Sequence, residues 1–330
     1  MRSGTHTLHS RLLGVGAYRP SRVVPNAEVC GPIDSTDAWI VSRSGIRTRR
    51  FASPEETLTE MAAAAGGKAL GEAGVPAAAV SLVLVATMSH VRQAPSVSAE
   101  VAHRLGATSA GAVDVGAACA GFCYGLALAA DAVSTAAAEH VLLIGVERMT
   151  DIVDPTDRST AFLFGDGAGA VVVGPGTEPA IGPPAWGSDG SLADAIRQDE
   201  PWTSLRTRPD APFPALRMAG PAVFRWSMTA LAPVARRALD LAGVTVDELG
   251  AFVPHQANLR IVDGLARALE LPARVAVARD VVDAGNTSAA SVPLALERLL
   301  SSGEARGGDL ALLLGFGAGL VFAGQVVRLP

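Results

Sequence analysis

Short aliphatic runs alternate with longer Ala-rich stretches along this chain. Ser81–Thr87, Val141–Val146 and Leu310–Phe316 hold continuous apolar runs of strand length, the first centred on Leu82–Ala86. Val97–Leu105 and Gly121–Ala138 read as helices, the second rich in Ala. Apolar strands without polar alternation, set between helices, predict α/β layers with each sheet covered on both faces. Thr177–Phe213 breaks the pattern. It is rich in Pro, Gly and Asp and predicts irregular surface chain near a junction.

The pattern repeats within the chain. A shift of 169 residues lays Lys68–Val75 over Arg237–Val244, each a helix end closed by a glycine, Gly74 or Gly243. Each is followed by an apolar strand, Leu82–Ala86 or Ala251–His255. The same shift lays Asp114–Cys119 over Asp283–Ser288, and a shift of 170 lays Leu142–Gly145 over Leu312–Gly315. Two copies of one α/β unit are expected, residues 1–175 and 176–330, related by a pseudo-twofold axis.

Composition narrows the function classes. The chain has 330 residues, of which 49% are hydrophobic, enough for a large core and too many for global disorder. Aromatics are 5%, so that core is aliphatic and Ala/Gly-packed. A formal net charge of −5 is not that of a general phosphate-backbone binder, and no nucleic-acid partner is expected. No apolar run reaches the ~18–20 residues of a membrane span. Met1–Ser10 carries Arg2, His6 and His9 and lacks the apolar stretch of a signal peptide. A cytoplasmic protein without membrane partner is expected. The cysteines, 30, 119 and 123, provide no disulfide framework and no metal-ligand spacing, so no metal site is expected.

The duplication brings chemistry together. The Cys119 and Asn286 turns are counterparts and can face each other across the axis, while His255 ends the counterpart of the 82–86 strand. Cys119, among small residues in Gly116–Phe122, precedes an Ala-rich helix. There the helix N-terminus favours thiolate, and its N–H groups can hold an oxyanion. Cys123, one turn deeper, reads as packing. His255 lies between a strand and a polar turn, with Pro254 fixing the turn and Gln256 and Asn258 as partners. Asn286 competes with Thr287 and Ser288 as a helix cap. Gly14–Gly16, Gly165–Gly169 and Gly315–Gly319 lack the full dinucleotide-binding pattern. The latter two, running into Ala170–Val173 and Leu320–Phe322, read as tight turns between paired strands. Asp151, Asp154 and Asp157 read as a polar turn around Pro155 rather than a metal cluster.

With Cys119, His255 and Asn286 in place, the chain resembles the β-ketoacyl-acyl-carrier-protein synthase III family of the thiolase fold. The resemblance is nearly full length. It rests on Ile33–Ile40 running into Arg43–Arg47, on Ala117–Phe122, Asp154–Arg158 and Phe164–Ala170, and above all on Pro254–Arg260 with Gly285–Ser291. Among the family's branches it looks closest to the one that primes bacterial aromatic polyketide synthases. The resemblance implies a thiolase-like fold, a duplicated βαβαβαββ unit in αβαβα layers.

It also implies a ping-pong reaction without a cofactor. Cys119 takes the acyl group of an acyl-CoA. Malonyl-acyl carrier protein then enters and is decarboxylated, with His255 and Asn286 stabilising the enolate. The backbone N–H groups of Cys119 and Ala318 hold the oxyanion; the family commonly has Gly at the second position. Phe122 and Phe316 wall the acyl pocket and exclude water. Ser35, Trp39, Arg43, Arg158, Gly220, Phe224 and Asn258 map to the CoA site, with adenine between Trp39 and Arg43 and phosphates at Arg158. Arg225, Arg260 and Arg267 map to the docking patch for the acidic carrier protein. In a homodimer the loop Met88–Ser96 closes the partner's acyl channel, and Ala94 stands where acetyl-preferring members have Phe. Other readings fit less well; a thiolase proper would need a second catalytic Cys near the C-terminus, and none follows Cys123. An acyltransferase of the same fold, acting on an alcohol or amine, tends to have Asp for the Asn, since Asn286 cannot act as a base. A non-catalytic partner protein would lack the nucleophile, and Cys119 is present.

Overall fold

The computed structural model describes residues 9–208 and 210–330; Arg2, His6 and Pro209 lie outside the described residues. Two five-stranded sheets form the scaffold. The first contains β1 (His9–Tyr18), β2 (Leu82–Ala86), β3 (Gly111–Val115), β4 (Val141–Glu147) and β5 (Gly167–Gly176). The second contains β6 (Ala185–Ser188), β7 (Leu249–Pro254), β8 (Ala276–Val277), β9 (Leu310–Gly317) and β10 (Val321–Arg328). Their spatial orders are β1-β5-β4-β2-β3 and β6-β10-β9-β7-β8, the same order twice. Directions match as well. In each sheet the first two pairings are antiparallel and the last two, β4–β2–β3 or β9–β7–β8, are parallel.

The side-chain alternation of the strands builds five layers. Leu142 and Ile144 of β4 face α2 (Leu58–Ala73) and α3 (Val97–Leu105), while Val141 and Leu143 face inward. In the second sheet, Leu312 and Leu314 face α5 (Gly220–Ala242) and α6 (Leu259–Ala268), while Ala311 and Leu313 face inward. Between the sheets lie α4 (Gly121–Ser134) and α7 (Ser291–Ser302), which contribute Phe122, Leu126, Val292 and Leu296 to the central core. A further helix, α1 (Asp37–Ser44), lies outside these layers and is capped by Thr36, whose side chain accepts from the Trp39 N–H. Gly74 and Gly243 end α2 and α5 in the left-handed conformation that glycine adopts without a Cβ penalty.

Some expectations are corrected. The helix from Gly121 ends at Ser134 instead of Ala138, where the Thr135 hydroxyl bonds back to Asp131 O and Ala136 turns to φ +58°. Thr177–Phe213 holds β6 and a short strand at Ile196–Gln198, because β6 completes the second sheet by pairing with β10. Gly165–Gly169 leads into β5 rather than forming a tight hairpin turn; residues 148–166 connect it to β4. The Gly317–Val321 turn does join paired strands. Among the described residues no helix is long and apolar enough to cross a membrane.

Candidate active site

The duplication determines where the site lies. A 3₁₀ turn at Ala118–Ala120 follows β3, and its counterpart at Ser288–Ala290 precedes α7; the two pack together. Ala118 and Ser288 both take left-handed backbone angles, φ +43° and +47°, bending each turn sharply into its central helix. Gly317 presses against the first turn: a Cβ there would lie 2.8 Å from Cys119 N and 2.9 Å from Cys119 Cβ. The absent side chain lets the β9–β10 turn carrying Ala318 come up beside Cys119.

Cys119 is buried, and burial pushes its thiol up to about 12. Hydrogen bonding from the Ser288 hydroxyl and its own backbone N–H acts in the opposite direction, and the nearby Glu147 carboxylate pushes it higher. This corrects the helix-terminus expectation: desolvation outweighs the dipole, and the resting group is a thiol. Cys123 is packed and buried beneath Gly315, as its helical spacing suggested.

His255 follows β7 and is also buried. Its Nδ1 lies 2.6 Å from Ser291 Oγ, and its ring meets the edge of Phe316 at a centroid distance of 5.0 Å. Burial pushes the imidazole down to about 3, so it is neutral. Ser291 Oγ accepts the Gln256 N–H, and among the described residues Nδ1 is the acceptor in reach of its own proton. The network therefore assigns the ring proton to Nε2. Gln256 and Asn258 are not partners of His255. Gln256 ties Pro254 O and Ala278 O to the Val281 N–H, and Asn258 caps α6 by accepting from Arg260 N and Ile261 N.

Asn286 Oδ1 accepts from Ser288 N at 2.8 Å. That bond orients the carboxamide so that its NH₂ is left for the cleft, which Asn286 lines. The cleft has a volume of about 590 Å³. Arg43, Arg158, Arg225 and Arg260 lie along it with no acidic side chain on its walls. A chain of negative net charge thus presents a local cationic mouth. Trp39, Gly220, Phe224 and Asn258 also line it. Arg158 stands 5.0 Å over the Trp39 ring and donates to Asp34 O, while Arg43 stands 5.8 Å over the same ring. Arg260 covers Phe224 at 4.9 Å.

Four predicted residues lie elsewhere. Ser35 is outside the cleft, its hydroxyl buried without a partner. Arg267 is exposed in the last turn of α6, beside Asp263 and Glu270. Ala94 is exposed and does not reach this chain's own cleft. Phe122 is fully buried in the central core, whereas Phe316 touches His255. Asp154 and Asp157 cap the turn around Pro155 and share Arg217, as expected of a polar turn; Asp151 pairs instead with Arg148.

Three residues with a place in the site were missed: Ser291, Ser288 and Glu147. The last ends the apolar run of β4 and is completely buried. Two signals pointed to them: a lone acid closing an aliphatic strand, and the overlay of Ser288 on Cys119 in the repeat.

Known proteins share this fold and much of this sequence. Residues 113–190 match the family described as 3-oxoacyl-[acyl-carrier-protein] synthase III, and residues 239–329 match its C-terminal part. A β-ketoacyl-[acyl-carrier-protein] synthase III of Streptomyces glaucescens is 56% identical, over 98% of this chain and 97% of the relative. One from Streptomyces coelicolor is 54% identical over the same shares. The crystal structure of the priming β-ketosynthase from the R1128 polyketide biosynthetic pathway superposes with a TM-score of 0.98 at 52% identity, covering 100% of this chain and 98% of that one. The 3-oxoacyl-[acyl-carrier-protein] synthase III of Aquifex aeolicus gives 0.89 at 36% identity, with 97% and 99% covered. With this fold, this cleft and these relatives, the chain belongs to the 3-oxoacyl-[acyl-carrier-protein] synthase III family.

Proposed function

We propose that Cys119, His255 and Asn286 carry out a decarboxylative condensation between an acyl-CoA starter and malonyl-acyl carrier protein. The observation that carries this reading is their convergence on one pair of packed turns: Cys119 and Asn286 both meet Ser288, His255 meets Ser291 three residues on, and Asn286 opens onto a cleft lined by four arginines. Cys119 sulfur attacks the acyl-CoA thioester carbonyl, the negative oxygen is held by the N–H groups of Cys119 and Ala318, and CoA leaves. Malonyl-carrier then places its thioester carbonyl between His255 Nε2–H and the Asn286 NH₂. The bond to the carboxylate breaks, carbon dioxide leaves, and the electron pair becomes an enolate held by those two donors. Its carbon attacks the acyl carbon on Cys119, the sulfur departs, and the β-ketoacyl product stays on the carrier. A neutral imidazole supports this role, because it donates one hydrogen bond without bringing a second charge into the buried site.

Arg158 stands nearer the Trp39 ring than Arg43 does, 5.0 Å against 5.8 Å, so the two expected roles exchange: Trp39 with Arg158 suits a stacked purine, and Arg43 the nucleotide phosphates. Arg225 and Arg260 at the mouth suit an acidic carrier protein. We further propose a homodimer. β3 is an edge strand with exposed positions, among them Val113 at 51%, and residues 91–95 of the loop that follows the adjacent β2 are exposed. A partner pairing there covers both, and brings Ala94 to the partner's acyl channel. Intact-mass measurement after mixing with acyl-CoAs, followed by malonyl-carrier, tests the reading. An acyl mass on Cys119 that disappears with release of carbon dioxide is expected. Transfer of that acyl group to an alcohol or amine without carbon dioxide would overturn it.

A further inference from the structure

Glu147 has no part in the reaction as described, yet it is the completely buried carboxylate below the nucleophile. Its oxygens accept from the N–H groups of Met88, Ser89 and Ala289. They also accept from the hydroxyls of Thr87, Ser89 and Ser288, the last at 2.9 Å. Every one of these partners is a donor and none is a cation. A shell of donors alone suits the ionised carboxylate. A buried charge without a counter-ion is costly, and a fold that needed only a linker here could use a neutral group.

Ser288 joins this carboxylate to the thiol. Its hydroxyl proton goes to Glu147 Oε1 at 2.9 Å, and because its turn packs on the turn that carries Cys119, its oxygen is left to receive the Cys119 S–H. His255 cannot take that proton. Its Nδ1 lone pair is engaged by Ser291 and its Nε2 already carries a hydrogen. We propose that Glu147 takes up the Cys119 proton through the Ser288 hydroxyl, so that the nucleophile forms by transfer inside this buried cluster.

The step balances. The S–H bond breaks as its proton joins Ser288 Oγ, and the former Ser288 proton joins Glu147 Oε1. The thiolate attacks the acyl-CoA. The proton on Glu147 returns through Ser288 to the departing CoA sulfur, so one thiol is consumed and one is released. The cluster holds one negative charge before and after transfer, which avoids separating charge in a site of low dielectric. Burial raises the proton affinity of Glu147 above that of an ordinary carboxylate, and the hydrogen bonds it accepts oppose that rise. Among the described residues that bond to Glu147 none has a titratable side chain, and Cys119 is a titratable group on which its charge acts. α2 carries Glu60, Lys68 and Glu72, α4 carries Tyr124 and Asp131, and His90 follows Ser89, all without a hydrogen bond to the carboxylate. The adjacent Arg148 turns to Asp151, Cys123 on α4 lies under Gly315, and β2 and the 288–290 turn carry no titratable side chain.

This inference rests on Cys119 being the acylated thiol. The test is the rate at which iodoacetamide alkylates Cys119 in the full chain, followed by intact mass and peptide mapping between pH 5.5 and 9. Internal transfer makes the reactive form independent of solvent pH over that range, so the wild type is expected to show a plateau. Ser288→Ala interrupts the path but leaves Glu147 its other five donors and the Asn286 bond, which uses Ser288 backbone. It is expected to lose the plateau and gain a rise of about tenfold per pH unit, as for a thiol that must ionise to solvent. Its acylation by acyl-CoA near pH 7 should fall at least about tenfold with KM unchanged. Glu147→Gln should behave alike, and Glu147→Asp should restore the plateau. A plateau that survives in Ser288→Ala, or a tenfold-per-unit rise already in the wild type, overturns the relay. Label on a residue other than Cys119 overturns the assignment of the nucleophile instead.

Discussion

Ser291 Oγ lies 2.6 Å from His255 Nδ1, and that bond assigns the proton to the opposite ring nitrogen. A neutral imidazole has one N–H, and it can serve the substrate carbonyl only if Nδ1 is occupied as an acceptor. Ser291→Ala removes the donor and frees the ring to take the other tautomer. Decarboxylation of malonyl-carrier should fall about five- to tenfold, the worth of roughly 1–1.4 kcal/mol in a neutral hydrogen bond, with Ser291→Thr recovering most of it. Acylation of Cys119 should not change. Single-turnover measurement of each half-reaction separates the two.

Removing the donors themselves costs more. His255→Ala and Asn286→Ala should each accept an acyl group on Cys119, yet decarboxylate malonyl-carrier about 10²–10³ times more slowly. Normal condensation with failed self-acylation would mean that the two residues serve the first half-reaction. Cys119→Ala should abolish acyl transfer while keeping the fold, since a methyl group replaces one buried thiol.

The imidazole also links the site to stability. Burial holds His255 at about 3, below its ordinary 6.5. The folded protein therefore disfavours the proton that the unfolded chain accepts. The stabilisation is complete above pH 6.5 and is lost as pH falls from there toward 3, by up to about 1.4 kcal/mol per pH unit. Denaturant melts of wild type and His255→Gln, compared at several pH values, should show the wild type losing stability faster over this range. Parallel pH dependence would show that the ring takes up a proton inside the fold.

The repeat explains why so much of this was visible beforehand. Strand cores such as Leu82–Ala86 and Val141–Val146 follow from aliphatic runs, and the pairing of the Cys119 and Asn286 turns follows from the 169-residue offset. Ser291 could not be assigned to His255 in this way. It lies 36 positions on, and only the packing of α7 against the end of β7 brings the hydroxyl to the ring. The thiol's state was misjudged for a related reason. A helix N-terminus is legible in sequence, but the burial that overrides it comes from β9 and the 288–290 turn closing over Cys119, with the Glu147 charge adding to it. Arg267 illustrates a spacing limit: two turns beyond Arg260 on the same helix, it ends beside Asp263 and Glu270, away from the cleft.

Arg260 is exposed at the mouth of the cleft, its guanidinium over Phe224. Arg260→Glu should impair condensation with malonyl-carrier far more than self-acylation from acyl-CoA. The deficit should shrink as salt rises, because exposed charges are screened beyond a Debye length of ~8–10 Å. Rates with both substrates across a salt series decide the matter. Equal losses that ignore salt would assign Arg260 to the wall of the cleft and its contact with Phe224.

Ala94 bears on the choice of starter. It is exposed in this chain, in the loop that follows β2 toward the proposed interface. If the partner copy places it at the end of the acyl channel, a methyl group there leaves room that a ring would fill. Each further buried CH₂ of the starter would then add up to about 0.8 kcal/mol, or roughly fourfold in affinity. Starters longer than acetyl, of three to six carbons or branched, are therefore expected to react fastest, and Ala94→Phe should return the preference to acetyl. The mutation acts across the interface, so a mixed dimer supplies a stringent check. Combining Ala94→Phe subunits with Cys119→Ala subunits leaves one active site per dimer, and its channel end belongs to the Cys119→Ala copy. That site should keep the long-chain preference. A wild-type optimum at acetyl, or a preference in the mixed dimer set by the Cys119-bearing copy, would place the channel end elsewhere.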